Sequence, residues 1–270
     1  MDLQLVGKRA LVTGSSTGIG EGIARRLAAE GAQVILHGRS TARLSKIADE
    51  IREDKGHVAF VTGDLESDED AEGVATAAAD AFGGIDILVN NAGGRRPEAP
   101  NGWFDIDLAD WTGTFNQNVL SAVRMIKLLA KPMKERGWGR IVNIGSMAGQ
   151  STSGALAEYA AAKAATSNMT IGLSKVMAMS GVTVNSVSPG MIRTAGLERT
   201  LVQVAKQQGL GTDVEAAGRW MLTNVLRQSV GRLGEADDIA YTVAWLVSPR
   251  GDFINGANIR VDGGASPSMN

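Results

Sequence analysis

The chain has 270 residues, 27 lysines and arginines against 29 aspartates and glutamates, and a hydrophobic fraction of 44%. That length builds one sizeable core, and a formal charge of -2 with 4% aromatic residues and no basic cluster excludes a nucleic-acid reader. The absence of cysteine removes disulfides and thiolate chemistry, and His37 and His57 alone, without H-E-x-x-H spacing, offer no protein-only metal site. Met1-Asp2-Leu3-Gln4 lacks the order of a secretion signal and no apolar run reaches membrane length. A cytoplasmic protein is the expectation.

Short β-branched runs alternate with longer helical stretches, the pattern of a parallel sheet covered on both faces. The first run is Ala10-Leu11-Val12, followed by Thr13-Gly14-Ser15-Ser16-Thr17-Gly18-Ile19-Gly20 at the start of a helix. Glycines there permit a tight turn and close approach of a pyrophosphate, and the helix N-terminus supplies free N–H groups. A tight turn alone is the plainer reading, which the position after the first strand disfavours. No lysine follows the last glycine, so it is not a nucleoside-triphosphate loop.

A second run, Gln33-Val34-Ile35-Leu36, leads into His37-Gly38-Arg39-Ser40. A site selecting the unphosphorylated ribose usually places a carboxylate here. Arg39 and Ser40 instead suit a 2'-phosphate, with Arg43 adding field, so NADP(H) is favoured and NAD(H) is the alternative. His57-Val58-Ala59-Phe60-Val61 precedes Asp64-Leu65, and Ile85-Asp86-Ile87-Leu88-Val89 precedes Asn90-Asn91-Ala92-Gly93. In Gly94-Arg95-Arg96-Pro97-Glu98-Ala99-Pro100, Arg95 and Arg96 suggest attraction of an anionic substrate, against a plain surface charge blunted by Glu98.

Trp111, Phe115, Val119, Ala122, Met125 and Leu129 form an amphipathic stripe that predicts a helix over about Asp107 to Arg136. After the strand Gly139-Arg140-Ile141-Val142-Asn143-Ile144 come Ser146 and the loop Gly149-Gln150-Ser151-Thr152-Ser153-Gly154. A second helix runs from about Ala157 to Ser180 with little charge beyond Lys163 and Lys175; its apolar outer face implies another subunit or a thick cover of neighbouring helices. In it Tyr159 and Lys163 stand one turn apart, so the ammonium favours the phenolate and fits Tyr159 for proton exchange with a carbonyl or alcohol. The last strands are Val182-Thr183-Val184-Asn185-Ser186-Val187 and Asn258-Ile259-Arg260-Val261. Between them the stretch 191–231 is expected to be a substrate-binding lid, its Leu197, Leu201, Leu210, Trp220, Met221 and Leu222 walling a pocket or packing two small helices. Residues 1–270 thus form a single dinucleotide-binding and catalytic domain, a doubly wound parallel sheet of seven strands in an α/β (Rossmann) fold.

Taken in order, the segment Thr13 to Gly20, Asp64-Leu65, Asn90-Asn91-Ala92-Gly93, Asn118, Ser146, Tyr159 with Lys163, Pro189-Gly190 and Val261-Asp262-Gly263-Gly264 resemble the short-chain dehydrogenases/reductases over almost the whole chain. The resemblance is similar in strength for the 3-oxoacyl-carrier-protein reductase and glucose dehydrogenase branches. It implies that Gly14, Ser16, Thr17, Gly18, Ile19 and Gly20 hold the cofactor, with Asp64 and Leu65 at its adenine end and Asn91, Ala92 and Gly93 beside it. Asn90 would steady the central strands and cofactor, and Asn118 would position a water joining Lys163 to solvent. Ser146 would hold the substrate oxygen and Tyr159 exchange its proton, while Lys163 binds the nicotinamide ribose. Pro189, Gly190 and Ile192 would cradle the nicotinamide, with Thr194 bonding its carboxamide.

The expected activity is hydride transfer between NADP(H) and a ketone, aldehyde or secondary alcohol, a small-molecule substrate, in a homotetramer or dimer away from membranes. A non-catalytic dinucleotide sensor is disfavoured because Ser146, Tyr159 and Lys163 are all present. Ser146 has no G-x-S-x-G context, which argues against serine hydrolase chemistry.

Overall fold

Seven parallel strands pair in the order β3-β2-β1-β4-β5-β6-β7 in a computed structural model that describes residues 1–95, 102–150 and 156–266. They are β1 (Arg9–Val12), β2 (Gln33–Gly38), β3 (His57–Thr62), β4 (Ile87–Asn90), β5 (Gly139–Ile144), β6 (Val182–Pro189) and β7 (Asn258–Val261). Successive side chains in a strand point to opposite faces. Ala10 and Val12, Val34 and Leu36, and Ile87 and Val89 therefore join one apolar layer. Leu11, Ile35 and Leu88, one residue out of step, join the other. Both layers are covered by helices, which is why these strands read as unbroken apolar runs.

The helices are α1 (Gly18–Ala29), α2 (Thr41–Glu53), α3 (Asp68–Phe82), α4 (Leu108–Phe115), α5 (Ser121–Glu135), α6 (Ala157–Val176), α7 (Ala195–Gln207), α8 (Val214–Met221) and α9 (Ala236–Val247). Ile239, Val243 and Leu246 of α9 pack with Ile23 and Leu27 of α1 in the first layer. Met125, Leu129 and Met133 of α5 belong to the second. Strand order reverses between β1 and β4, and the crevice beyond the carboxyl ends of the strands at such a reversal is where open α/β sheets bind ligands.

Two helices differ from their expected spans. The stripe over 107–136 is α4 and α5 joined by a π-helical segment, Asn116–Leu120. Its wider turn carries Asn118, which is buried. The second helix stops at Val176 rather than Ser180, and beyond it Met179 takes a left-handed conformation (φ 60°). Gly181 follows at φ 75°, where a Cβ would stand 2.0 Å from the Gly137 carbonyl oxygen, so the chain turns there only with glycine.

After β6, α7 and α8 enclose a small third core of Leu201, Ala205, Ala217, Leu222 and Leu233, with Leu197, Leu210 and Met221 packed against it. Of the apolar residues expected in this stretch, most thus pack the two helices together. The segment is tied back to the body where Arg193 N–H donates to Gly234 O (2.7 Å) and Gly234 N–H donates to Met191 O (3.0 Å).

Candidate active site

The glycine-rich turn after β1 is held to the end of β4 by the side chains of Thr13 and Asn91. Thr13 Oγ1 accepts from the main-chain N–H groups of Asn91 and Ala92 (3.0 Å each). Asn91 Nδ2 in turn donates to the carbonyls of Thr13 (2.9 Å) and Gly14 (3.0 Å). Gly14 lies at φ 63°, and a Cβ there would stand 2.8 Å from Ala92 Cα. A Cβ on Gly20 would stand 2.4 Å from Asn91 Nδ2. These glycines let strand, turn and helix approach closely, and Asn91 acts as a lock between segments.

Beyond the turn lies a cleft of about 690 Å³, whose lining includes Gly14, Ser16, Thr17, Arg39, Asp64, Leu65, Ala92 and Gly93. Eight residues expected at a cofactor therefore share one hollow. His37 and Gly63 line it too and were not expected there; the available signal is that His37 adjoins Gly38-Arg39. Arg39 is exposed, with its Nη1 3.8 Å from Asp64 Oδ2. Two helices begin at this rim without a capping side chain. Neither Thr17, before α1, nor Ser40, before α2, accepts a bond from its helix. By contrast α3, α4, α7 and α8 are capped by Ser67, Asp107, Thr194 and Asp213. Uncapped first-turn N–H groups beside glycine suit bound phosphate oxygens. The donor set thus fits a dinucleotide: α1 for the pyrophosphate, and Arg39 with Ser40 for a 2'-phosphate.

At the carboxyl end of β5, the Ser146 side chain lies close enough to the Tyr159 hydroxyl to favour its ionised form. Lys163 is buried, donates to Ile144 O (2.9 Å), and has its Nζ 5.7 Å from the centre of the Tyr159 ring. Ser146, Tyr159 and Lys163 are therefore brought together as expected. The expected direction of the tyrosine shift is not what the structure gives: burial pushes the Tyr159 pKa up, and Ser146 only partly offsets this. Burial also lowers Lys163, to about 8. Both charged forms are disfavoured in the same low-dielectric surroundings, so here desolvation outweighs attraction.

Asn118 is saturated by main chain. Its Nδ2 donates to Gly94 O and Thr114 O, and its Oδ1 accepts from Gly94 N–H, all at 2.9 Å. It clamps the loop after β4 next to Gly93. Asn90 donates to Asn143 Oδ1 (2.9 Å), and Asn143 donates to Thr170 Oγ1 (2.9 Å), so a buried amide chain ties β4 to β5 and α6.

Gly190 and Ile192 line a separate cavity of about 570 Å³ with Met191 and Gln228. Pro189, the last residue of β6, pairs with Val261. Thr194 lies against Gly18, whose Cβ would stand 3.3 Å from Thr194 Cγ2. Its hydroxyl caps α7, accepting from Leu197 N–H (3.2 Å). Ile19 packs against the first core layer.

Arg95 Nε donates to Glu158 Oε1 (3.2 Å), a carboxylate buried in the first turn of α6 beside Tyr159. This pairing engages one of the two arginines on which an anionic-substrate reading rests. Arg96 to Pro100 and Ser151 to Gly154 lie outside the described residues. Among the described residues no group of three His, Cys, Asp or Glu side chains gathers as a metal site, and no helix is long and apolar enough to cross a membrane.

Comparison with known proteins agrees with this geometry. The short chain dehydrogenase family model matches residues 8–203. The chain is 36% identical to the 3-oxoacyl-[acyl-carrier-protein] reductase FabG of Vibrio cholerae, over 97% of this chain and 98% of that one. It superposes with a TM-score of 0.93, at 28% identity and full coverage of both chains, on L-sorbose reductase from Gluconobacter frateurii complexed with NADPH and L-sorbose. A 7α-hydroxysteroid dehydrogenase complexed with NADH and 7-oxo glycochenodeoxycholic acid gives 0.82 at 29% identity, covering 100% of this chain and 98% of that one. The chain belongs to the short-chain dehydrogenase family and is an oxidoreductase by fold and kinship.

Proposed function

We propose that the protein reduces a ketone or aldehyde with NADPH, and oxidises the corresponding secondary alcohol in reverse. The observation that carries this reading is the approach of Ser146 to the Tyr159 hydroxyl with Lys163 one turn away, at the carboxyl edge of the sheet that also forms the cleft. The dinucleotide supplies the hydride when bound. Hydride addition builds negative charge on the carbonyl oxygen. Ser146 and Tyr159 present two hydroxyls to that oxygen, and Tyr159 delivers the proton. A neutral, buried phenol is the right form for the donor in the reducing direction. Lys163, lowered to about 8, stabilises the phenolate left behind and holds the nicotinamide ribose. The segment Pro189 to Thr194 would hold the nicotinamide, and residues 191–231 would form the substrate lid.

NADP(H) rather than NAD(H) is supported by Arg39 and the uncapped Ser40 at the end of β2, and by the NADPH in the L-sorbose reductase structure. The NADH held by the 7α-hydroxysteroid dehydrogenase structure marks the competing choice.

A panel of ketones, aldehydes and secondary alcohols assayed with both cofactors tests the proposal. Tyr159→Phe should keep dinucleotide affinity and lose about 10²- to 10⁴-fold in kcat. In the same assays Arg39→Ala should raise the KM for NADPH far more than for NADH. Normal turnover in Tyr159→Phe would end the proton-donor assignment, and equal effects on both cofactors would end the NADP(H) preference.

A further inference from the structure

His37 is the buried histidine of β2, and its ring reaches two walls of the cleft at once. Nδ1 is 3.2 Å from the Gly14 nitrogen, on the glycine-rich turn. Nε2 is 3.3 Å from the Gly63 carbonyl oxygen, at the corner between β3 and α3. The main chain of the same residue is engaged with that turn: His37 N–H donates to Ser15 Oγ (2.9 Å), and Ser15 N–H donates to His37 O (2.8 Å). A backbone amide only donates and a carbonyl only accepts. Both ring contacts are therefore hydrogen bonds in one form alone, the neutral imidazole with its proton on Nε2.

We propose that His37 is a positioning residue of the dinucleotide site: its Nε2–H imidazole spaces the glycine-rich turn against the β3–α3 corner and thereby sets cofactor affinity. The inference rests on the dinucleotide reading of the cleft given above. Gly14 and Gly63 line opposite segments of that cleft, and Asp64 follows Gly63 directly. The Gly14 N–H bonded to His37 is drawn back into the fold, which sets the orientation of the following turn from Ser16 to Gly20. A ring that merely filled space at the strand end would need no particular tautomer. Burial keeps the imidazole neutral, pushing its pKa down to about 4 despite the opposing pull of the Gly63 carbonyl and Asp64.

Three variants separate the two ring contacts. His37→Asn puts an amide oxygen near the place of Nδ1 and keeps an acceptor for Gly14. His37→Gln puts an amide nitrogen near the place of Nε2 and keeps a donor for Gly63. His37→Phe keeps a ring and removes both. Dissociation constants for NADPH and NADH, kcat at saturating cofactor, and Tm are measured for each.

The Phe variant should bind dinucleotide about tenfold or more weakly, the loss expected for one buried hydrogen bond. The loss should fall more heavily on the dissociation constant and KM for dinucleotide than on kcat at saturation, since the ring touches no reacting atom. The Asn variant should recover most of the affinity and Gln less, because Gly14 lies on the pyrophosphate turn. Should Phe not fold, the order of Asn and Gln decides alone. Equal affinity in wild type and the variants, or losses that follow Tm irrespective of the acceptor, overturn the positioning role alone. A wild-type protein that binds neither dinucleotide overturns the functional reading and this role with it.

Discussion

Tyr159 and His37 show how far burial governs single groups here. The spacing of Tyr159 and Lys163 was legible as one helical turn, and the structure places them with Ser146. The direction of the tyrosine shift was not legible, because spacing gives the neighbour and not the depth. His37 carries a pH consequence that follows from its sign. Its pKa is about 4 in the fold against 6.5 for the exposed group, so the unfolded chain takes up a proton over that interval while the folded chain does not. The corresponding stability is complete above pH 6.5 and declines as the pH falls toward 4, by on the order of 3 kcal/mol. Denaturant titrations between pH 7 and 4 should show this decline, and His37→Asn should flatten it. An identical slope in the variant would assign the decline to other groups.

At the level of elements, the glycine-rich turn was readable because its job is steric. A missing Cβ leaves a mark in the sequence, and Gly14 and Gly20 stand where a side chain would strike Ala92 and Asn91. The π-helical segment was not readable, since Asn116 to Leu120 keeps an apolar stripe that a regular helix also satisfies. One extra residue in that turn aims Asn118 at Gly94.

Arg193 is another feature that composition hides. Its guanidinium reaches Glu215 (2.7 Å) on α8, Glu235 (3.3 Å) before α9 and Glu198 (4.0 Å) on α7. Three elements thus share one cation that lies within the segment proposed to face the nicotinamide. Single exposed pairs contribute about 0–1 kcal/mol, so Arg193→Ala should scarcely move Tm. It should raise amide exchange across α7 and α8 severalfold, because α7 and α8 have only a small core of their own. Unchanged exchange would show that the small core alone holds them.

For the molecule as a whole, the seven strands were legible to within a few residues, as continuous β-branched runs between helices leave few other arrangements. Their order was not, since it depends on crossings that no local pattern records. The helix expected over about Ala157 to Ser180 was read as apolar outside as well as inside, and Ile171 and Val176 on α6 and Met179 beyond it are 48%, 67% and 104% exposed in the single chain. A face of that kind suits contact with a second copy. Sedimentation velocity should therefore show a dimer or tetramer. Ile171→Glu combined with Val176→Glu should shift it toward the monomer. A monomeric wild type at micromolar concentration would mean that these side chains stand in water.

The bare ends of α1 and α2 have a practical corollary. Amide hydrogens with no capping side chain suit anions from the surrounding solution. Phosphate or sulfate buffers would then compete with the dinucleotide while protecting the protein from heat. By mass action, saturation to about a hundred times the dissociation constant adds about 2.7 kcal/mol of protection. Storage conditions and inhibition kinetics would share one cause.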